Sequence, residues 1–152
     1  MDFKGMGLRA ELVSGLQRMG IESPTPVQEQ GVPSLLAGKD LVCRSKTGSG
    51  KTLAFLLPIM QKLDAQSRDV QALILAPTRE LAVQIEREIK KLNPHAKSVT
   101  LYGGVSITPQ IEALNKWAQI VVGTPGRLLD HLERQTLDLS QLKFLVLDEC
   151  DR

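Results

Sequence analysis

The chain has 152 residues, of which 42% are hydrophobic and 24% charged, and its net charge is +2. These values fit one ordinary globular domain and exclude collagen-like, low-complexity and strongly polyelectrolyte chains. No apolar run approaches a membrane span, and "MDFKGMGLRAELVSG" lacks a basic leader followed by an apolar stretch, so a cytoplasmic location is expected, or a nuclear one in a eukaryote. Aromatics are scarce: Phe3, Phe55, Tyr102, Trp117 and Phe144 do not interleave into a base-stacking platform. Any nucleic-acid contact would therefore fall mainly on backbone. Cys43 and Cys150 have no metal-ligand spacing and read as reduced thiols.

Two helical stretches come first. "LRAELVSGLQRMG" places Leu8, Leu12, Val13, Leu16 and Met19 on one face, and "PVQEQGVPSLLAG" should stop at Gly38. One pattern then recurs: a short apolar run, a polar or glycine turn, and a helical period. "DLVCRS" precedes "KTGSGKTLAFLLPIMQKL", and "ALILAP" precedes "TRELAVQIEREIKKL". "SVTLYGG" precedes "VSITPQIEALNKW", "AQIVVG" precedes "TPGRLLDHLERQ", and "FLVLDEC" comes last. In the fourth helix Leu81, Ala82, Ile85, Ile89 and Leu92 share a face. Nearly continuous apolar strands alternating with helices predict an α/β fold with a mainly parallel sheet, with "FLVLDEC" in a central position. In such a sheet every strand delivers its C-terminal end to the same edge, where ligands bind.

At that edge "SKTGSGKT" follows a strand and opens a helix. Gly48 and Gly50 allow a tight turn whose amides form an anion nest at the helix N-terminus. Lys51 adds a positive charge for terminal phosphates, and Thr52 offers a hydroxyl to Mg²⁺. Ser45 stands where the strict pattern has glycine. Such a loop needs a carboxylate for the metal, and the apolar run Phe144–Leu147 aims Asp148 at the same edge. Glu149 follows and can orient and deprotonate a water. Without the loop, "LDECD" would read as a solvated acidic turn.

Two further turns, "APTRELA" and "GTPGRLL", share one design. Thr78 and Thr124 occupy N-cap positions, Pro125 the first helical position, and Arg79 and Arg127 lie beside helix N-termini that favour anions. Gly126 permits close backbone approach, and Gly103 and Gly104 form a third tight turn. Taken singly each turn reads as capping alone. Together, beside a nucleotide loop, they suggest a row of anion sites suited to a sugar–phosphate backbone.

With these motifs in place, the sequence resembles the N-terminal RecA-like lobe of DEAD-box ATP-dependent RNA helicases nearly end to end. "GIESPTPVQ" is similar to the family's Q motif, with Phe3 near the place of its isolated upstream phenylalanine. "SKTGSGKT" resembles motif I, "PTRELA" motif Ia, the Gly103–Gly104 pair the glycine doublet, "TPGR" motif Ib and "DECD" motif II. The resemblance implies a three-layer RecA-like P-loop domain, C-terminally incomplete. Residues 1–38 would form its N-terminal helical Q-motif region and 39–152 its ATPase core, with a second RecA-like lobe in the intact protein. It implies ATP and Mg²⁺ as ligands and RNA as partner, bound through the backbone.

By the same resemblance Phe3, Ile21, Thr25, Gln28, Ser45, Lys46, Thr47, Gly48, Ser49, Gly50, Lys51 and Thr52 would hold ATP, with Gln28 reading the adenine edge. Thr52 and Asp148 would hold the metal, and Lys51, Asp148 and Glu149 would carry hydrolysis. Pro77, Thr78, Arg79, Gly104, Thr124, Gly126 and Arg127 would contact RNA, and Asp151 would couple nucleotide state to strand separation. Ile21 stands where the family has an aromatic residue, and Cys150 replaces the signature alanine. The 152 residues alone are expected to bind nucleotide or RNA with little turnover, because the family's second lobe supplies the arginines of the site. A small-molecule P-loop kinase or GTPase uses the same loop but leaves Gln28, "PTRELA" and "TPGR" unexplained.

Overall fold

A computed structural model describes residues 2–39 and 50–148. The expected strand "DLVCRS", most of the glycine loop and the end of the "DECD" stretch lie outside the described residues. The chain divides into two compact units, one of Met1–Leu63 with Lys91–Pro94 and the other of Asp64–Lys90 with His95–Arg152. No described helix is long and apolar enough to cross a membrane.

In the first unit a short 3-10 turn, Lys4–Met6, precedes helices α1 (Ala10–Arg18), α2 (Pro26–Leu36) and α3 (Lys51–Lys62). Helix α2 starts on a full capping box. The Thr25 hydroxyl accepts from the Gln28 amide, and the Gln28 side chain accepts from the Thr25 amide. Such a cap stabilises a helix by about 1 kcal/mol. Pro26 occupies the first turn, where its missing N–H costs nothing. The expected stop at Gly38 is a Schellman turn, in which Gly38 N–H donates to Leu35 O and Lys39 N–H to Ser34 O. Helix α3 buries every residue from Leu53 to Met60. A helix apolar on all sides is an interior helix, and it packs on α2 and α1.

The second unit carries strands β1 (Ala72–Leu75), β2 (Ser98–Leu101), β3 (Ile120–Gly123) and β4 (Phe144–Leu147). Helices α4 (Arg79–Leu92), α5 (Thr108–Lys116) and α6 (Pro125–Glu133) connect or follow them. The described strands form one sheet in the order β2-β3-β1-β4, and every pairing is parallel. The α/β reading from the strand–helix alternation is thus borne out. Among the described residues β4 pairs with β1. Its outer-facing Leu145 and Leu147 are 58% and 53% exposed.

The core of this unit forms where Leu73, Val99, Leu101 and Val121 from one sheet face meet Leu128 of α6 and Leu137. Each such side chain contributes roughly 1.5–3 kcal/mol when fully buried. Leu128 reaches the sheet because Gly123 has no side chain. A Cβ there would stand 2.7 Å from Leu128 Cδ2 and 2.9 Å from the Leu101 carbonyl oxygen. On α4, Ala82, Ile85, Ile89 and Leu92 are buried as the period predicts, and Leu81 is half-buried.

Helix α6 ends in a Schellman turn built on Gln135 at φ 61, with Gln135 N–H on Leu132 O and Thr136 N–H on His131 O. Left-handed backbone disfavours a side chain by about 1–2 kcal/mol. Gln135→Gly should therefore raise unfolding free energy by about 1 kcal/mol, read as a higher urea midpoint with an unchanged slope. Gly123→Ala should lower it by about 1–3 kcal/mol, since the Leu101 backbone cannot yield as a side-chain tip can.

Candidate functional site

In the first unit Thr25 and Gln28 lie at the start of α2, and Gly50, Lys51 and Thr52 at the start of α3. Gly50 is the N-cap of α3 at φ 86, and no side chain caps that helix. Half-buried Lys51 and Thr52 open this twelve-residue helix, whose N-terminus carries the positive end of its dipole. Gln28, 2% exposed, connects this point to α2: its Oε1 accepts from Thr25 N–H at 3.0 Å and its Nε2 donates to Gly50 O at 3.1 Å. A Cβ at Gly50 would meet Gln28 Nε2 at 2.4 Å and Thr25 Oγ1 at 2.8 Å. The Gln28 amide is thus partly committed to structure, but its second N–H and second lone pair remain to address a ligand edge. Phe3 is buried in this unit, and Ile21 is half-buried. Ser45, Lys46, Thr47, Gly48 and Ser49 lie outside the described residues.

In the second unit register does the positioning. Leu75 pairs with Gly123 and Leu147, and Gly123 pairs with Leu101, so four strands end on one line. The ladder continues one step, with Ala76 N–H on Gly123 O, Thr124 N–H on Leu101 O and Asp148 N–H on Leu75 O, all within 2.9–3.0 Å. Pro77–Arg79, Tyr102–Gly104, Thr124–Arg127 and Asp148 therefore leave the sheet side by side. The Asp148 side chain is 4% exposed. Glu149, Cys150 and Asp151 lie outside the described residues.

The turns differ in how their donors are used. Thr78 caps α4 as predicted, its hydroxyl accepting from Leu81 N–H at 3.2 Å. Thr124 holds the N-cap position of α6 but makes no capping bond. With Pro125 lacking an N–H, the Gly126 and Arg127 amides at this helix start have no side-chain acceptor. Gly126 is exposed, as are Pro77, Thr78 and Gly104, the last at φ 83. The arginines are not simply solvated. Arg79 stacks its guanidinium 4.6 Å from the Tyr102 ring centre. Arg127 donates from Nη1 to Gln110 Oε1 at 3.1 Å and from Nη2 to Val105 O at 2.9 Å.

Behind Arg127 lies a polar group that sequence reasoning missed. Gln110 donates from Nε2 to Tyr102 O at 2.9 Å, and its Oε1 also lies 3.0 Å from His131 Nε2. His131 is fully buried, and its Nδ1 is 2.8 Å from the Thr136 hydroxyl. A glutamine and a histidine on amphipathic helices carry no pattern that distinguishes them from solvated polar residues. Burial holds the His131 pKa below its ordinary value, with the nearby Arg127 charge adding to the effect, Asp130 opposing it and Arg134 reinforcing it. The unfolded chain therefore binds the His131 proton more readily than the folded one. This contribution to stability should be complete above about pH 6.5 and fall away as pH drops from there toward the lowered native value. A pH series of melting temperatures should show that loss in the wild type and a flatter profile in His131→Asn.

Comparison with known proteins extends these observations. The profile of the DEAD/DEAH box helicase family matches residues 25–152. The chain is 51% identical over 151 residues to an ATP-dependent RNA helicase CshA of Listeria monocytogenes, a match covering 98% of this chain and 29% of that protein. It is 50% identical over 152 residues to the ATP-dependent RNA helicase DeaD of Escherichia coli K12, covering 98% of this chain and 24% of that protein. The crystal structure of a DEAD box protein from the hyperthermophile Methanococcus jannaschii superposes with a TM-score of 0.94 at 42% identity, covering 99% of this chain and 42% of the other. The chain thus spans 24–29% of the length of these two curated relatives. The match over residues 25–152 shows that the chain belongs to the DEAD/DEAH box helicase family.

Proposed function

We propose that the chain forms the N-terminal nucleotide- and RNA-binding part of an ATP-dependent RNA helicase, which hydrolyses ATP to open short RNA duplexes. The observation that carries this reading is the shared edge on which the "PTRELA", glycine-doublet and "TPGR" turns leave the sheet beside Asp148. A kinase or GTPase reading of the glycine loop gives these turns no work. An RNA-directed enzyme would act in the cytoplasm, or in the nucleus of a eukaryote.

Each residue then has a role set by its chemistry. Lys51 and the first amides of α3 hold the triphosphate, a site where charge-assisted bonds to phosphate are strong. Gln28 presents its remaining N–H and lone pair to the adenine edge, a donor–acceptor pair that favours adenine over guanine. Phe3, Ile21 and Thr25 belong to the same pocket, together with Ser45, Lys46, Thr47, Gly48, Ser49 and Gly50. Thr52 and Asp148 would hold Mg²⁺: a hydroxyl and a carboxylate are hard oxygen donors, and the ion prefers few protein ligands with phosphate and water completing its shell. Bound Mg²⁺ would neutralise charge on the phosphates. Glu149 serves as the general base that takes a proton from the attacking water, which then adds to the terminal phosphorus as the ADP oxygen leaves. Asp151 passes the nucleotide state to a second RecA-like lobe.

On the RNA side, Gly126 and Arg127 amides at the start of α6, the exposed Gly104 turn and the Pro77–Arg79 turn meet successive phosphates. The contacts read backbone shape and not base sequence, in keeping with the absence of a stacking platform.

Binding and turnover assays on the full-length protein separate the roles. Lys51→Ala should weaken nucleotide binding by about tenfold or more. Glu149→Gln should keep ATP binding and slow RNA-stimulated hydrolysis by roughly 10²–10⁴. Unimpaired hydrolysis in Glu149→Gln would remove the general-base role. GTP competing as well as ATP for the site would contradict the reading of Gln28.

A further inference from the structure

We propose that Gln110, backed by His131, is a positioning residue for RNA, locking the Tyr102–Val105 turn to Arg127 so that two phosphate contacts keep a fixed separation. The inference rests on the RNA reading of this edge and adds to it a residue from outside the motifs. A primary amide can serve two masters at its oxygen and two at its nitrogen. Here the oxygen accepts from Arg127 Nη1 at 3.1 Å and faces His131 Nε2 at 3.0 Å, while the nitrogen donates to Tyr102 O at 2.9 Å. The guanidinium only donates and the carbonyl only accepts, so the amide has one orientation that satisfies both. That orientation fixes His131 as the Nε2–H tautomer. Its Nδ1 then faces the Thr136 hydroxyl at 2.8 Å as an acceptor, sharing that one hydrogen with the His131 carbonyl oxygen at 3.1 Å.

The consequence is a rigid bridge. Gln110 is 8% exposed and His131 fully buried, so the bond between them is shielded from water. Arg127 Nη2 closes the bridge on Val105 O at 2.9 Å, one residue beyond Gly104. The Tyr102–Val105 turn is therefore held at both ends, by Gln110 at Tyr102 and by Arg127 at Val105. The remaining guanidinium N–H groups and the Gly126 and Arg127 amides are left for phosphate. Without Gln110, the long Arg127 side chain keeps only its exposed bond to Val105 O, and an RNA strand must order more of it on binding.

The test uses fluorescence anisotropy of a labelled single-stranded oligouridylate on the full chain, across a salt series. Gln110→Ala should weaken binding roughly tenfold. It should also lower the slope of log affinity against log salt by about one phosphate contact. Arg127→Ala should do the same, and the double variant should bind no more weakly than Arg127→Ala alone, since one residue acts through the other. Gln110→Glu keeps the acceptor for Arg127 and His131 but loses the N–H that holds Tyr102 O, so it should leave binding weakened as in Gln110→Ala. Gln110→Met keeps the buried volume and carries the same test if the alanine variant does not fold. Losses that add in the double variant, or a Gln110 variant with wild-type affinity and slope beside a weakened Arg127→Ala, would overturn the positioning role alone. Wild-type affinity in Arg127→Ala would overturn the RNA reading of this edge and the positioning role with it.

Discussion

The parallel pairing of β1 with β3 on one side and β4 on the other, and of β3 with β2, is the constraint from which the rest follows. Parallel strands point the same way, so their ends cannot be distributed between two edges. Register then sets the spacing: Leu101, Gly123, Leu75 and Leu147 lie in one row, and each following residue begins a turn at about the strand separation from its neighbour. Antiparallel insertion of a single strand would send one motif to the opposite edge. The apolar row Val99, Val121 and Leu73, packed under Leu128, fixes that register because a one-residue slip would turn it outward.

On this frame the charged groups are arranged before any ligand arrives. Arg79 lies over Tyr102, and Arg127 is bonded to Val105 and Gln110. Both arginines are long side chains that would otherwise lose rotamer freedom on binding, and their contacts reduce that cost in advance. The two helix starts differ in the same spirit. Thr78 satisfies one amide of α4, whereas the start of α6 has no side-chain cap. In the first unit Gln28 joins the capping box of α2 to Gly50, so a residue read for its ligand chemistry also holds the helix start in place.

The elements that were legible in the sequence share a cause. The period of α4, the apolar runs Ala72–Leu75 and Ile120–Gly123, and the stop at Gly38 are local signals, set by burial pattern and backbone chemistry. The turns at Thr78 and Pro125 were legible for the same reason. What escaped depends on long-range partners. Gln110 is a buried hydrogen-bond hub only because Tyr102, Arg127 and His131 converge on it from other elements. The Thr124 hydroxyl occupies a capping position without capping, and Gln135 takes a conformation that sequence rules reserve for glycine. The order of the strands was likewise beyond local reading, since it is fixed by which faces pack and not by any segment alone.

The opposite edge offers a natural rival. There Arg68 and Lys97 flank the Trp117 ring at 4.8 and 5.5 Å, and Gln119 draws the loop carbonyls of Asp64 and Ser67 together. It is the cationic and aromatic combination that often marks a nucleic-acid surface. Backbone amide chemical shifts recorded during titration with single-stranded RNA decide between the two edges directly. The account predicts shifts at Thr78–Arg79, Gly103–Val105 and Gly126–Arg127, with Arg68, Lys97 and Trp117 unmoved. Shifts confined to the Arg68, Lys97 and Trp117 cluster would contradict it.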